Sequence, residues 1–219
     1  MKTVVAVYTG QGLAEPLKKV FDEKIPGCRL VNIIDDSLIS DVVKAGEVTT
    51  AVKRRLFQYY QNAVDMNASV ILNTCSSVGE VADLARDFID IPIVKIDELM
   101  AKEAVDNYTS IGVIATLPST LQPTMRLIEK QANLKGKTIN IVNGLAEGAY
   151  DALVSGKPEE HDRILLETAK KLAEQVDAFV LAQGSMARME ATLCEKTGKP
   201  VLSSPARGVT EVKNLLGDF

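Results

Sequence analysis

The chain is poor in the residues from which metal and thiol chemistry is usually built. It has three cysteines, Cys28, Cys75 and Cys194, and one histidine, His161. No CxxC pair occurs, so neither a zinc site nor a disulfide framework is expected. Long hydrophobic runs are also missing. The N-terminal run in "MKTVVAVYTGQG" spans only five residues, too short for the core of a signal peptide, and no run approaches the ~18 residues of a membrane span. Positive charge is not in excess either, since the formal net charge is −4. That argues against a nucleic-acid partner, and the one basic cluster, "VKRRLFQYY", reads as a solvated helix face. These absences predict a cytoplasmic protein with reduced thiols and no membrane or nucleic-acid partner.

What is present is an alternation of short β-branched runs with longer amphipathic stretches, the pattern of βαβ units and parallel sheets. Strands are expected over 3–9, 29–34, 68–73, 91–96, 110–116, 138–143, 178–182 and 200–203. Helices are expected over 13–24, 47–66, 78–88, 97–106, 120–134, 145–155, 159–176, 186–197 and 205–216. The second half repeats the first in kind and order. "VAVYTGQG" matches "GVIATLPST", "LVNIIDDSL" matches "TINIVNGLA", "NASVILNTCSSV" matches "DAFVLAQGSMA", and "IPIVKIDEL" matches "KPVLSSPAR". The expectation is an α/β protein of two pseudo-symmetric lobes, 1–97 and 98–219. Each is a four-stranded parallel sheet flanked by helices, with the active-site cleft between the lobes. No Gly/Ser-rich linker separates them.

Ligands of open parallel sheets lie beyond the carboxyl ends of the strands. Those ends collect Thr9, Gln11, Asn73, Cys75, Ser76, Ser77, Thr116, Ser119, Thr120, Gln183, Gly184 and Ser185. None is charged, which suits a small anion held by helix N-termini and neutral donors. "TGQGLAE" begins like a dinucleotide fingerprint, but Glu15 stands where the third glycine belongs. Cys28 and Cys194 read as small buried hydrophobes. Cys75 differs: it sits in a polar turn where a helix is expected to start, and the positive end of that helix would lower its pKa. Ser119 or Thr120 is expected to cap the helix after Thr116. His161, in "KPEEHDR", reads as part of an exposed helix start.

Cys75 in "LNTCSS", the run "GVIATLPST" and the segment "DAFVLAQGS" together resemble the aspartate/glutamate racemase superfamily over the whole chain. The resemblance implies cofactor-independent chemistry at the α-carbon of a small carboxylate, an amino or hydroxy acid, and a homodimer. In that superfamily two cysteines flank the α-carbon, one removing a proton and the other returning one. By resemblance Cys75 is the first of these, and Thr9, Gln11, Ser76, Ser77, Thr116, Ser119 and Thr120 would hold the substrate's polar groups. The second cysteine is missing. Gln183, Gly184 or Ser185 takes its place: matching Leu72 to Leu181 selects Gly184, and matching Ala68 to Ala178 selects Ser185. None of the three is a base at neutral pH. The resemblance therefore implies one-base thiol chemistry, with decarboxylation of the arylmalonate type or carboxylate binding without catalysis as the alternatives. Arg188 and Arg207 are the cations nearest the second-lobe strand ends.

Overall fold

The computed structural model describes residues 2–217. Among these residues eight strands and ten helices follow one another: β1 (Thr3–Tyr8), α1 (Ala14–Lys24), β2 (Arg29–Ile34), α2 (Ser37–Ala45), α3 (Thr50–Asp65), β3 (Val70–Asn73), α4 (Gly79–Ala85), β4 (Ile93–Lys95), α5 (Glu98–Asn107), β5 (Ser110–Ala115), α6 (Pro118–Leu134), β6 (Asn140–Leu145), α7 (Ala149–Val154), α8 (Pro158–Leu172), β7 (Ala178–Leu181), α9 (Glu190–Thr197), β8 (Val201–Leu202) and α10 (Pro205–Leu216). Short 3-10 turns, Ser76–Val78 and Gly184–Met189, follow β3 and β7. The strands form two parallel sheets of identical topology, β2-β1-β3-β4 and β6-β5-β7-β8.

Each sheet is covered on both faces, which is why its central strands read as unbroken apolar runs rather than alternating ones. In β1 every residue is buried. Val5 and Val7 pack with Leu38, Val42, Val52, Leu56 and Tyr60 of α2 and α3. Val4, Ala6 and Tyr8 point the other way, onto Leu17 and Phe21 of α1 and Val209 and Val212 of α10. The second sheet packs Val113 and Ala115 against α5 and α6, and Ile114, Phe179 and Leu181 against α7, α8 and α9. The edge strands β2 and β6 are partly exposed. Among the described residues no helix is long and apolar enough to cross a membrane.

The chain divides into two compact units, one running to Glu98 and rejoined from Pro205 onward, the other Leu99–Ser204. The first boundary lies one residue from the expected position, but α10 packs in the first unit, whereas its place in sequence put it in the second lobe. The close approach is permitted by Gly208, where an added Cβ would sit 2.7 Å from the Ile96 carbonyl oxygen. Helix α2 was not expected from the sequence. It is short, and Asp35 starts it by accepting hydrogen bonds from the Ser37 N–H (3.2 Å) and hydroxyl (2.6 Å). Gly46 ends it in the left-handed region, φ +73°. Strand β6 lies two residues later than the expected 138–143.

Candidate active site

At the carboxyl end of the first sheet, the end of β3 is tied to β1. Thr74 donates both its backbone N–H (3.1 Å) and its hydroxyl (2.9 Å) to the Val7 carbonyl. The chain then delivers Cys75, extended at φ −125° and ψ 120°, as the cap of the Ser76–Val78 turn. The sulfur is hydrogen-bonded by the Thr9 and Ser77 hydroxyls and by the backbone N–H groups of Ser77 and Val78. Such donors favour a thiolate. Burial opposes them and prevails, so the thiol is pushed above its ordinary range. This corrects the expectation from the sequence that the helix start would lower the Cys75 pKa: helix α4 is only seven residues long and begins four residues beyond the sulfur.

Asn73 braces the segment that carries the thiol. Its amide nitrogen donates to the Cys75 carbonyl (3.0 Å), and its amide oxygen accepts from the buried Tyr60 hydroxyl (3.0 Å). Thr9, Ser76 and Ser77 are buried at the same strand ends. Gln11 is exposed and hydrogen-bonded to Asp36.

The strand ends are not free of charge as the sequence suggested. Lys95 ends β4 and Asp97 follows two residues later, each about 3% exposed. Lys95 Nζ pairs with Asp83 at 3.0 Å. Burial pushes the Asp97 carboxyl up, against the lowering effect of its hydrogen bond from Ser76 and of the Lys95 charge. The signal was in the sequence as two charged residues at the end of an apolar strand, "IVKIDE". Asp35, at the end of β2, behaves oppositely. Burial raises its pKa, but hydrogen bonds from Ser37 and Tyr59 and the charge of Arg55 outweigh that and hold it below the usual carboxylate range.

The second unit repeats the arrangement with different chemistry, and its hydrogen bonds resolve the register left open above. Ser69 and Asp177 donate their N–H groups to Thr3 (2.7 Å) and Ser110 (2.8 Å). Ile71 and Phe179 donate to Pro92 (2.9 Å) and Pro200 (2.8 Å), and Thr74 and Ala182 to Val7 (3.1 Å) and Ile114 (2.9 Å). The residue after each last donor is Cys75 in one unit and Gln183 in the other. Gln183 is extended at φ −121° and ψ 133° and caps its own 3-10 turn, as Cys75 does. The counterpart of Cys75 is thus Gln183, and the matches that selected Gly184 or Ser185 are each out of register. Those two residues lie within the turn.

Thr116 occupies the place of Thr9, because Ala146 donates to Ala115 as Asp35 donates to Tyr8. Gln183 grips Thr116 twice: Oε1 accepts from the Thr116 N–H at 2.8 Å, and Nε2 donates to the Thr116 hydroxyl at 2.7 Å. Helix α6 begins at Pro118 with Leu117 as its cap and no side-chain cap bond. Ser119 and Thr120 therefore lie inside the first turn, not at the capping position. The Ser119 hydroxyl oxygen is buried with no partner among the described residues.

Two further expectations, on His161 and Cys194, are corrected. His161 is buried, because it shares one face of α8 with Leu165 and Ala169, and its Nδ1 lies 2.8 Å from Asp162. Arg188 is engaged by both oxygens of Asp162. Cys194 is exposed rather than buried, while Cys28 is half-buried with its sulfur 3.2 Å from the Lys2 carbonyl.

Comparison with known proteins agrees with this architecture. Glutamate racemase from Francisella tularensis subsp. tularensis SCHU S4, solved with D-glutamate, is similar at 17% identity and a TM-score of 0.76, over 98% of this chain and 80% of that one. Allantoin racemase from Klebsiella pneumoniae is similar at 15% identity and a TM-score of 0.70, over 99% and 88%. A mutant of arylmalonate decarboxylase in a sulfate-associated form is similar at 13% identity and a TM-score of 0.62, over 97% and 92%. At these identities the likeness is one of fold. No curated protein sequence matches the chain. The model of the Asp/Glu/Hydantoin racemase family matches residues 4–212, nearly the whole chain, and the protein belongs to that family.

Proposed function

We propose that the protein is a cofactor-independent enzyme acting at the carbon α to a small carboxylate, with Cys75 as its one thiol acid or base. The observation that carries this reading is the contrast at equivalent positions. Cys75 has four hydrogen-bond donors on its sulfur. Gln183 has a non-titrating amide committed to Thr116. Neighbouring donors stabilise negative charge that develops on the substrate, commonly the largest single contribution in such reactions. With one thiol, a proton taken from Cα to Sγ leaves an enediolate and returns from the same sulfur to the same face. The product is isotope exchange with retention, not inversion.

A second reading is favoured by the raised pKa of Cys75. A thiol that stays protonated at neutral pH is a better proton donor than acceptor. Loss of CO2 from a substrate with two carboxylates on one carbon leaves an enediolate, and Cys75 S–H would protonate its carbon, the thiolate regaining a proton from water. Likeness to the arylmalonate decarboxylase fold supports the same reading.

The test is a panel of small amino, hydroxy and malonic acids, followed in D2O by NMR for Cα exchange and for CO2 release, with wild type, Cys75→Ala and Cys75→Ser. Exchange or decarboxylation lost in both variants supports the reading and says which branch holds. Turnover unchanged in Cys75→Ala would remove Cys75 from the chemistry. Carboxylates that raise the melting temperature without any turnover would instead mark a binding protein.

A further inference from the structure

Asp97 is a buried ionisable group that the chemistry above does not use. It sits two residues beyond β4, and the Ile96 N–H donates to the Asn73 carbonyl at 2.9 Å. This pairing places Asp97 beside the segment that carries Cys75. Its carboxyl is hydrogen-bonded by Ser76, the residue after the thiol. The other observation is a deficit: Asp97 Oδ1 is buried with no hydrogen-bond partner among the described residues.

The charges around it are already matched. Lys95 is held by Asp83 at 3.0 Å. Arg86, the residue after α4, is held by Asp83 of α4 at 3.1 Å and by Glu98 of α5 at 2.7 Å. Tyr60, from α3, is the remaining titratable group beside Cys75; burial, with the Cys75 charge adding to it, keeps its hydroxyl protonated. An ionised Asp97 would be a buried carboxylate with an empty oxygen, which is costly. It would also place a second negative charge beside any Cys75 thiolate.

We propose that Asp97 is a positioning residue for Cys75: as a neutral acid it anchors Ser76, and through it the turn whose Ser77 and Val78 N–H groups face the sulfur. The inference rests on the reading of Cys75 as the reactive group. It concerns the thiol itself and does not depend on which carboxylate is turned over. Neutrality matters because it holds the turn without adding charge, so the four donors on the sulfur are not cancelled.

The test is the pH dependence of iodoacetamide alkylation on the full-length protein, read for each cysteine by peptide mass spectrometry. The exposed Cys194 serves as an internal reference. Asp97→Asn keeps a neutral acceptor for Ser76 and leaves the Cys75 profile unchanged. Asp97→Ala and Ser76→Ala each remove the bond from one end. Each raises the Cys75 midpoint and slows alkylation at pH 7.5 by about tenfold, the factor for one unit of thiol pKa. The double variant is no slower than either single one. If Asp97→Ala does not fold, Ser76→Ala against Asp97→Asn carries the comparison. Faster alkylation in Asp97→Asn would show an ionised Asp97 and overturn the proposal, as would an unchanged profile in Ser76→Ala. No substrate is involved, so the result stands even if no carboxylate is turned over.

Discussion

The two units repeat one scaffold, and the residue that caps the turn after the third strand is a thiol in one and an amide in the other. In each, a threonine after the first strand reaches the residue that caps the turn after the third. In the first unit Thr9 donates to the Cys75 sulfur. In the second, Thr116 and Gln183 close a two-bond ring between a backbone N–H, a hydroxyl and an amide. A thiol leaves the threonine donor available to stabilise charge. In the second unit the Thr116 hydroxyl instead accepts from the amide nitrogen, and the amide oxygen accepts from the Thr116 N–H. The difference teaches that a duplicated strand end can keep its backbone and exchange a thiol ringed by donors for an amide bound to its neighbour. Helix α6 has Pro118 in its first turn and a buried Ser119 hydroxyl with no partner among the described residues.

The largest expected break of this asymmetry is Cys75→Ala, which lowers Cα exchange or decarboxylation by about 10²–10⁴-fold, the usual weight of a positioned acid or base. Gln183→Ala, measured by urea denaturation, costs about 1–3 kcal/mol, because it strips the buried Thr116 N–H and hydroxyl of their partner. An unchanged midpoint there would mean that the ring is not the structural clamp described. Tyr60→Phe removes the donor to Asn73 and costs about 1–2 kcal/mol by the same measurement, and it slows Cys75 alkylation because Asn73, which donates to the Cys75 carbonyl, loses its own anchor. Thr9→Val withdraws one donor from the sulfur and slows alkylation at neutral pH by several-fold, of the order of a single hydrogen bond.

The smallest effect is in stability against pH. Burial raises the Cys75 pKa in the fold above that of the unfolded chain. Between those two values the native state binds more protons than the unfolded one, so stability falls as pH rises. The loss begins as pH passes the ordinary thiol range, near ~8.5, and ends at the folded pKa. Cys75→Ser removes that part of the slope. Gln183, which does not titrate, has no counterpart effect.

Much of the layout was legible because hydrophobic period and turn chemistry are local. The strands at 29–34 and the helix at 205–216 agree residue for residue with β2 and α10. The repeat was legible because duplicated strands keep their order. The exact partner of Cys75 was not, since matching letters such as Leu72 to Leu181 ignores which N–H meets which carbonyl. The ladder hydrogen bonds assign it to Gln183. Burial of polar side chains was harder to read: Lys95, Asp97 and His161 look like surface residues in a one-dimensional reading, and their burial follows from which face packs.

Sequence alone therefore established a doubly repeated α/β chain with a single thiol at a strand end, because periodicity, turn residues and composition act over a few neighbouring positions. Three-dimensional packing assigned α10 to the first unit, tied Asn73 to the Cys75 carbonyl and to Tyr60, and brought Asp97 to Ser76. Packing also raised the Cys75 pKa where the helix start suggested the reverse. These depend on contacts between residues far apart in the chain and on the removal of water around them, and neither is written in local sequence.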